Sequence, residues 1–333
     1  MLNIDLNKIS KLISEKLNKE INIHSIEPTE KGYHSNGYRL LSDGNQDFFL
    51  KHVHSNDLGY EFPERQIMSL IVSDTMSKRI NHTPQTVGVS LDSNLVLPDI
   101  SDVNEIFHIQ EYTDLGKSYS KIIKSNENKL NIDEEDIRYL NSIADKLIKI
   151  HSVKHESNNK QQLDAIYNDG LRNVLTHPEL SIMVLSEFPK DYKILKLEGQ
   201  QEIISLMYKN IKDWMYRSDR LSSLHGDFWG SNIFLNENEE VSIIDFSRIP
   251  WGDPGIDVGW FLTEFLWNYH QTENTYYQEL AEKWLDIYEE KSGESEIRKA
   301  VVLSLGWVGV VRIYPKWFPE LDVDLGKKFI NHI

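Results

Sequence analysis

The sequence predicts an α+β fold with two lobes, an N-terminal lobe built on a five-stranded antiparallel sheet and a mostly helical C-terminal lobe. Segments with strand patterns, separated by turn residues, fill the first third of the chain. After residue 112, apolar residues recur mainly at helical spacing. No repeat or long linker divides the chain further, so we place the lobes at 1–112 and 113–333.

Composition excludes several classes of protein. With 40% hydrophobic and 26% charged residues, the chain has the profile of a globular protein with a core. Its net charge of -16 argues against nucleic acid as a partner, because binding a phosphate backbone needs a basic face. The chain has 0 cysteines, so it cannot form disulfides or use a thiol nucleophile.

Localisation can also be predicted from apolar patterning. The N-terminal residues lack the uninterrupted apolar segment of a secretory signal. The most apolar run, 300–311, is about half the length that crosses a bilayer. We therefore expect a cytoplasmic protein without membrane contact, whose oligomeric state these features leave open.

The elements of the N-terminal lobe follow in order. Leu6, Ile9, Ile13 and Leu17 have helical spacing and predict an amphipathic helix over 5–18 that lies on the following sheet. A second helix is expected to begin near Pro63. Strands are expected over 21–28 and 46–53, and in the second part of 30–41, which begins as a tight turn. Three further strand candidates are 86–90, 95–97 and 106–110.

The C-terminal lobe is predicted to be helical on both sides of one polar stretch. Residues 134–151 form the clearest early helix, and 203–216 the clearest within 161–220, a segment that we expect to shape the substrate pocket. Residues 117–131 are rich in Lys, Asn and Ser, which is typical of a mobile helix or an insertion. The final part, 260–333, is helical and rich in aromatic residues, most of which we expect in the core.

The polar stretch, 224–246, carries the candidate chemistry. Its apolar run 233–235, polar turn 236–240 and apolar return at 241–244 predict a β-hairpin. The hairpin would bring Asn232 close to Asp245, and two oxygen ligands suit Mg²⁺, which keeps room for phosphate oxygens. Asp227, just outside that pair, could accept a proton from a hydroxyl nucleophile. This layout is typical of phosphoryl transfer.

The same stretch resembles a family of small-molecule kinases. HGDFWGSN fits H-G-D-x-x-x-x-N, and IIDF fits the I-D-F that follows it in aminoglycoside phosphotransferases, choline kinases and related enzymes. The resemblance implies a protein-kinase-like fold, ATP (or GTP) and Mg²⁺ as cofactors, Asp227 as the base, and Asn232 and Asp245 as metal ligands. It also implies that Asp257 braces the catalytic loop by hydrogen bonds.

Residues of the N-terminal lobe are candidates for nucleotide binding. Gly32 precedes Ser35 and Asn36 in a turn that could approach phosphates, although an ordinary hairpin turn fits it as well. In the resembling kinases a similar stretch covers the nucleotide. Lys51, near the end of a strand, is expected to point at the inner phosphates and to pair with a carboxylate of the next helix. Glu64 is the first choice for that carboxylate.

Two further nucleotide-binding assignments depend on the resemblance. Glu61 is the alternative to Glu64 as the partner of Lys51. Glu111 and Tyr112 stand at the hinge, whose backbone binds the adenine ring in the resembling kinases.

The acceptor is a small molecule with a hydroxyl group, and its identity stays open. Candidates are an aminoglycoside-like antibiotic, choline or ethanolamine, homoserine, a methylthioribose-type sugar and a fructosamine; Phe228 and Trp229 resemble the HGDLW of fructosamine kinases. Net negative charge and aromatic residues favour an amine-bearing acceptor. A protein kinase is disfavoured, because the chain has His-Gly-Asp and has Ser247 where protein kinases have a glycine. The alternative from another class is a non-catalytic nucleotide-binding module with a regulatory role.

Overall fold

A computed structural model describes residues 5–29, 35–53, 63–79, 84–90, 106–177, 181–246 and 248–332. The chain forms two compact units, Met1–Asp114 and Leu115–Ile333. The first contains the large sheet and the second most of the helices, which confirms the predicted α+β class.

The sheet of the N-terminal unit has five antiparallel strands in the order β1-β2-β3-β5-β4, as predicted. Its strands are β1 (Ile23–Pro28), β2 (Ser35–Ser42), β3 (Phe48–Val53), β4 (Thr86–Ser90) and β5 (Ile106–Glu111). The candidate strand at 95–97 lies outside the described residues. On β3, Lys51 stands between Gly37 of β2 and His108 of β5.

Two helices belong to this unit, α1 (Leu6–Leu17) and α2 (Pro63–Arg79). The carboxylate of Asp5 caps α1 by accepting the backbone N–H of Asn7 at 2.9 Å. Ile9 and Ile13 are fully buried in a core that includes residues of β1, β2, β3, β4 and β5. The apolar stripe of α1 therefore covers one face of the sheet, as its spacing predicted.

The C-terminal unit consists mainly of ten helices of the described chain, joined by short strands. The helices are α3 (Tyr119–Ser125), α4 (Glu134–Ser152), α5 (Lys160–Thr176), α6 (Ser181–Ser186), α7 (Leu197–Trp214), α8 (Gly255–Thr272), α9 (Thr275–Ser292), α10 (Ile297–Ala300), α11 (Val302–Arg312) and α12 (Val323–His332). The short strands are β6 (Lys117–Ser118), β7 (Ser222–Ser223), β8 (Ile233–Leu235), β9 (Val241–Ile243) and β10 (Trp251–Gly252).

Helix α8 is the centre of this unit and is buried along most of its length. It contacts α9 and α11. Gly259 allows α11 to approach closely, because a Cβ at that position would lie 2.4 Å from Oγ of Ser304. The aromatic residues of the C-terminal part fill this core as predicted, with Trp260, Trp284 and Trp307 fully buried.

The segment 117–131 contains a helix, α3, which is one of the two alternatives predicted for it. Tyr119 and Ile123 of α3 are almost completely buried, and β6 pairs with β8. The polar residues that suggested mobility cover the outer side of a short element whose two large apolar side chains face the core.

The described helices include none that is long and apolar enough to span a membrane.

Candidate active site

The polar stretch forms the predicted hairpin. Strands β8 and β9 are antiparallel, with Ile233 opposite Ile243 and Leu235 opposite Val241. The pairing continues one residue further, since the carbonyl oxygen of Asn232 accepts the N–H of Ile244 at 3.0 Å. Asn232 therefore lies beside the residue that precedes Asp245.

Asp227 and Asn232 are in direct contact. The Nδ2 of Asn232 donates to the backbone oxygen of Asp227 at 2.9 Å and to its Oδ2 at 3.3 Å. Asp227 is only 5% exposed. Because Asn232 uses its amide nitrogen here, its Oδ1 remains for a cation, and that oxygen accepts no hydrogen bond within the described parts of the chain.

Asp245 has an uncommon backbone conformation. Its φ of 66° lies in the left-handed region, which non-glycine residues rarely adopt and which occurs often at functional sites. Its side chain is partly exposed, two residues after Ile243, the buried last residue of β9. The hairpin thus brings the backbone of Asp245 close to that of Asn232, in a conformation that the surrounding structure must hold.

Arg248 is a site residue that the sequence reasoning did not single out. Its Nη1 lies 2.8 Å from Oδ1 of Asp227, and both side chains are largely buried. The guanidinium also lies 5.5 Å from the ring centroid of Trp260. The available signal was its place three residues after Asp245, but an arginine in a loop has many possible partners.

Asp257 braces the catalytic loop, as predicted. Its Oδ2 accepts the backbone N–H of His225 at 2.7 Å, and its Oδ1 accepts that of Gly226 at 2.9 Å. His151, at the end of α4, contributes an Nε2 at 3.0 Å from Oδ2 and has its Nδ1 2.6 Å from the hydroxyl of Tyr288. His151 therefore supports the loop through its contact with Asp257.

His225 joins the loop to the hairpin. Its Nδ1 accepts the N–H of Asp227 at 3.2 Å, and its Nε2 donates to the carbonyl oxygen of Ile244 at 2.8 Å. These partners require a neutral imidazole with the proton on Nε2. Burial lowers the pKa of His225 below its usual range, against the opposing charges of Asp257 and Asp245.

The backbone conformation and the close packing at Gly226, between His225 and Asp227, both favour glycine. Its φ is 79°, and a Cβ would lie 2.5 Å from the backbone nitrogen of Ile249. A longer residue at this position would meet main chain rather than a movable side chain.

The candidate nucleotide-binding residues belong to the N-terminal unit. Ser35 is buried at the start of β2 opposite Val53, and Asn36 follows opposite His52. Lys51 is partly buried on β3. Gly32 and Glu61 lie outside the described residues, as does the side chain of Glu64, which stands in the first turn of α2.

Glu111 and Tyr112 lie at the end of β5. Their backbone N–H groups donate to the carbonyl oxygens of Gln85 and Asp47, both at 3.0 Å. Oε1 of Glu111 accepts from Gln46, and the guanidinium of Arg39 lies 4.3 Å from the ring centroid of Tyr112. Contact of this pair with an adenine ring would therefore use carbonyl oxygens or side chains.

A cavity of about 510 Å³ adjoins the catalytic loop within the C-terminal unit. Trp229 and Ser231 of the loop line it, together with residues of α3, α8 and α11. Trp267 and Trp317 add further aromatic surface. The cavity is thus large enough for a small molecule. Trp229, in its wall, is two residues after Asp227 in the sequence.

The family model described as "Phosphotransferase enzyme family" matches residues 106–297, more than half of the chain. The chain belongs to the phosphotransferase enzyme family. This membership confirms the resemblance and the predicted class of enzyme, a small-molecule phosphotransferase. No curated protein sequence matches the chain.

Solved structures of phosphotransferases share the fold at low sequence identity. An ethanolamine kinase from Plasmodium vivax is 12% identical with a TM-score of 0.54, covering 93% of this chain and 82% of its own. A protein described as a fructosamine-3-kinase from Haemophilus somnus is 15% identical with a TM-score of 0.53, covering 97% and 96%. The aminoglycoside phosphotransferase APH(4)-Ia, in a ternary complex with ADP and hygromycin B, is 9% identical with a TM-score of 0.53, covering 98% and 97%. These similarities confirm the protein-kinase-like fold.

Proposed function

We propose that this protein transfers the γ-phosphoryl group of ATP to a hydroxyl group of a small molecule. The contact between Asp227 and Asn232, at the base of a hairpin that ends in Asp245, supports this activity most directly. It joins a candidate base to an oxygen donor and a second carboxylate, the set that phosphoryl transfer requires. The ADP complex of APH(4)-Ia supports an adenine nucleotide as donor.

Asp227 is the proposed base. It orients the acceptor hydroxyl and takes its proton while the hydroxyl oxygen forms a bond to the γ-phosphorus and the bond from that phosphorus to the bridging oxygen breaks, releasing ADP. Arg248 and Asn232 hold the carboxylate from two sides. Asp257 fixes the backbone just before it. Positioning of this kind accounts for much of the rate in phosphoryl transfer.

Asn232 and Asp245 are the proposed ligands of Mg²⁺. Among the described residues there is no cluster of three or more His, Asp or Glu that could hold a metal ion. A pair of oxygen donors still fits Mg²⁺, which is commonly bound by one or two protein carboxylates together with phosphate oxygens. When bound, the ion would neutralise charge on the transferring phosphates.

The nucleotide itself is proposed to contact the N-terminal unit. Lys51, with Glu64 or Glu61 as its partner, would steady the phosphates, and Gly32, Ser35 and Asn36 would cover them. Glu111 and Tyr112 would border the adenine ring.

Replacing Asp227 by Asn tests the function. We expect kcat to fall about 100- to 10,000-fold, because the amide cannot accept the proton, while stabilisation of the protein by ATP and magnesium persists. Turnover is measured as ADP release over a panel of amino alcohols, sugars and antibiotics, and nucleotide binding by thermal shift. Asp324→Asn, on α12, is the matched control and should keep wild-type activity.

An Asp227→Asn protein with wild-type turnover would refute the base. A wild-type protein that binds ATP and magnesium but phosphorylates nothing in the panel would favour the non-catalytic module instead. The presence of Asp227, Asn232 and Asp245 in one described unit favours the enzyme.

A further inference from the structure

The cavity beside the catalytic loop contains an arginine without an acceptor. Arg312, the last residue of α11, lines the cavity and is only partly exposed. In the described structure it makes no hydrogen bond and no ion pair, and its Nε is buried without a partner. Its terminal nitrogens are not enclosed by the chain as Nε is, and the residue forms part of the cavity wall.

The stacking of Arg312 on an aromatic ring does not use its donors. The guanidinium carbon lies 4.2 Å from the ring centroid of Trp229. The N–H bonds of a guanidinium point outward in its own plane, so contact of its face with a ring leaves these donors available.

The carboxylate whose charge acts on Arg312, that of Glu264, makes its hydrogen bonds with other groups. Glu264 is buried, and its Oε2 accepts the backbone N–H of Gly230 at 2.7 Å while its Oε1 accepts from Oγ of Ser120 at 2.5 Å. Glu264 attracts Arg312 through its charge, but burial is the larger influence and lowers the pKa of Arg312. A cation left in this position without an acceptor is costly, which points to a partner that is not part of the chain.

Arg220, in the same unit, is a buried arginine whose hydrogen-bond donors have carboxylate partners. It also stacks on a tryptophan, 5.1 Å from the ring centroid of Trp214. In addition it donates twice to Asp253, at 2.6 and 3.0 Å, and once to Glu294 at 2.8 Å. Arg312 has the stacking and lacks the carboxylates, although both arginines are largely buried.

We propose that Arg312 binds an anionic group, a carboxylate or a phosphate, on the acceptor whose hydroxyl is phosphorylated. The inference rests on the proposed function and defines its substrate class. Trp229, on which Arg312 stacks, is two residues from Asp227, a backbone separation of at most about 7 Å. We therefore expect a compact acceptor, a hydroxy acid or a hydroxyalkyl phosphate. Lys124 adds a second cation to the cavity lining, opposed by the exposed Glu127.

The test uses pairs of alcohols that differ in the anionic group. They are L-homoserine and 3-amino-1-propanol, D-gluconate and D-sorbitol, and glycerol 3-phosphate and glycerol. The first two pairs probe a carboxylate and the third a phosphate. Binding is measured by calorimetry, and turnover by ADP release with ATP and magnesium, for the wild type and for Arg312→Gln, Arg312→Lys and Arg298→Gln.

We expect the anionic member of at least one pair to bind and react about 10-fold or more better than its partner. Arg312→Gln should raise its KM about 10- to 100-fold with a smaller change in kcat, and leave the neutral or cationic partner unaffected. Arg312→Lys should restore part of the loss. Arg298→Gln, an exposed arginine that pairs with Glu289, should behave as wild type.

Three outcomes decide against the inference or separate it from the proposed function. If no anionic member is preferred in binding or turnover, the anion site does not exist. If Arg312→Gln lowers kcat equally for both members of a pair, Arg312 positions the loop through Trp229 instead. If anionic members bind in an Arg312-dependent way and none is phosphorylated, the anion site stands and the proposed kinase activity fails.

Discussion

At the scale of single residues, the contacts that hold the catalytic loop are made by charged and hydrogen-bonding side chains. Arg248 and Asn232 fix the two oxygens of Asp227. His225 is kept neutral because one ring nitrogen must accept and the other must donate. Each contact restricts the orientation of this carboxylate, as its proposed role as a base requires.

Removing Arg248 should reduce turnover without removing nucleotide binding. We expect Arg248→Gln to lower kcat roughly 10- to 100-fold, because Asp227 loses a charge-assisted contact and can rotate away from the hydroxyl. Steady-state kinetics and an ATP thermal shift measure the two effects separately.

The control is Arg138→Gln, an exposed arginine that pairs with Glu239 at 3.2 Å. It should change neither quantity, because exposed ion pairs contribute little. Unchanged kcat in Arg248→Gln would show that this ion pair does not position Asp227.

At the scale of elements, helix α8 supports the loop through two carboxylates that accept its backbone N–H groups. Asp257, in its first turn, accepts two backbone N–H groups of the loop, and Glu264, further along, accepts a third from Gly230. The end of α4 contributes His151 to the same arrangement. The close approach of α11 at Gly259 keeps α8 in place.

Asp257→Asn should destabilise the protein by about 3 kcal/mol, since one of two backbone donors then faces an amide nitrogen instead of a carboxylate oxygen. Turnover should fall as well, because the loop that carries Asp227 loses its support. Urea denaturation and ADP release are the measurements.

Asp286→Asn is the matched control, an exposed carboxylate of α9 that pairs with Arg298. Its free energy of unfolding should change by no more than about 0.5 kcal/mol. Equal stability of Asp257→Asn and the wild type would mean that the hydrogen bonds to His225 and Gly226 do not support the loop.

At the scale of the whole molecule, buried neutral histidines link stability to pH. His225 joins the loop to the hairpin, and His270, on α8, lies beside Phe329 and His332 of α12. Burial lowers the pKa of His270, assisted by the charges of His332 and Lys328 and opposed by Glu273. Two separate regions of the C-terminal unit therefore disfavour protonation.

Stability should fall as the solution is acidified. A histidine whose folded pKa is lower than its unfolded value of about 6.5 binds more protons when unfolded. The free energy of unfolding is therefore at its full value above about pH 6.5 and decreases below it, until the pH reaches the folded pKa. Urea denaturation between pH 5 and about pH 8 measures the slope.

His270→Gln should flatten this slope, whatever its effect on stability at neutral pH. His24→Gln, an exposed residue on β1, should leave it unchanged. An identical slope in His270→Gln and the wild type would show that His270 does not titrate with unfolding.

The sequence by itself determined the elements whose residues are close along the chain. The hairpin from 233 to 243, the helix over Leu6–Leu17 and the spacing of Asp227, Asn232 and Asp245 follow from local patterns, and a hairpin brings its own ends together. In the segment 117–131, where a mobile helix or an insertion was predicted, the polar majority gave no sign that Tyr119 and Ile123 of the helix are buried.

Only the tertiary structure decided which distant residues meet. His151 and Asp257 are 106 positions apart, and Arg248 is 21 positions from Asp227. Local propensity carries no information about such pairs, because helices and loops can pack in many ways that leave their own patterns intact. The same reason applies to Arg312, which packing places in the wall of the cavity, beside Trp229 and without an ion pair in the described structure.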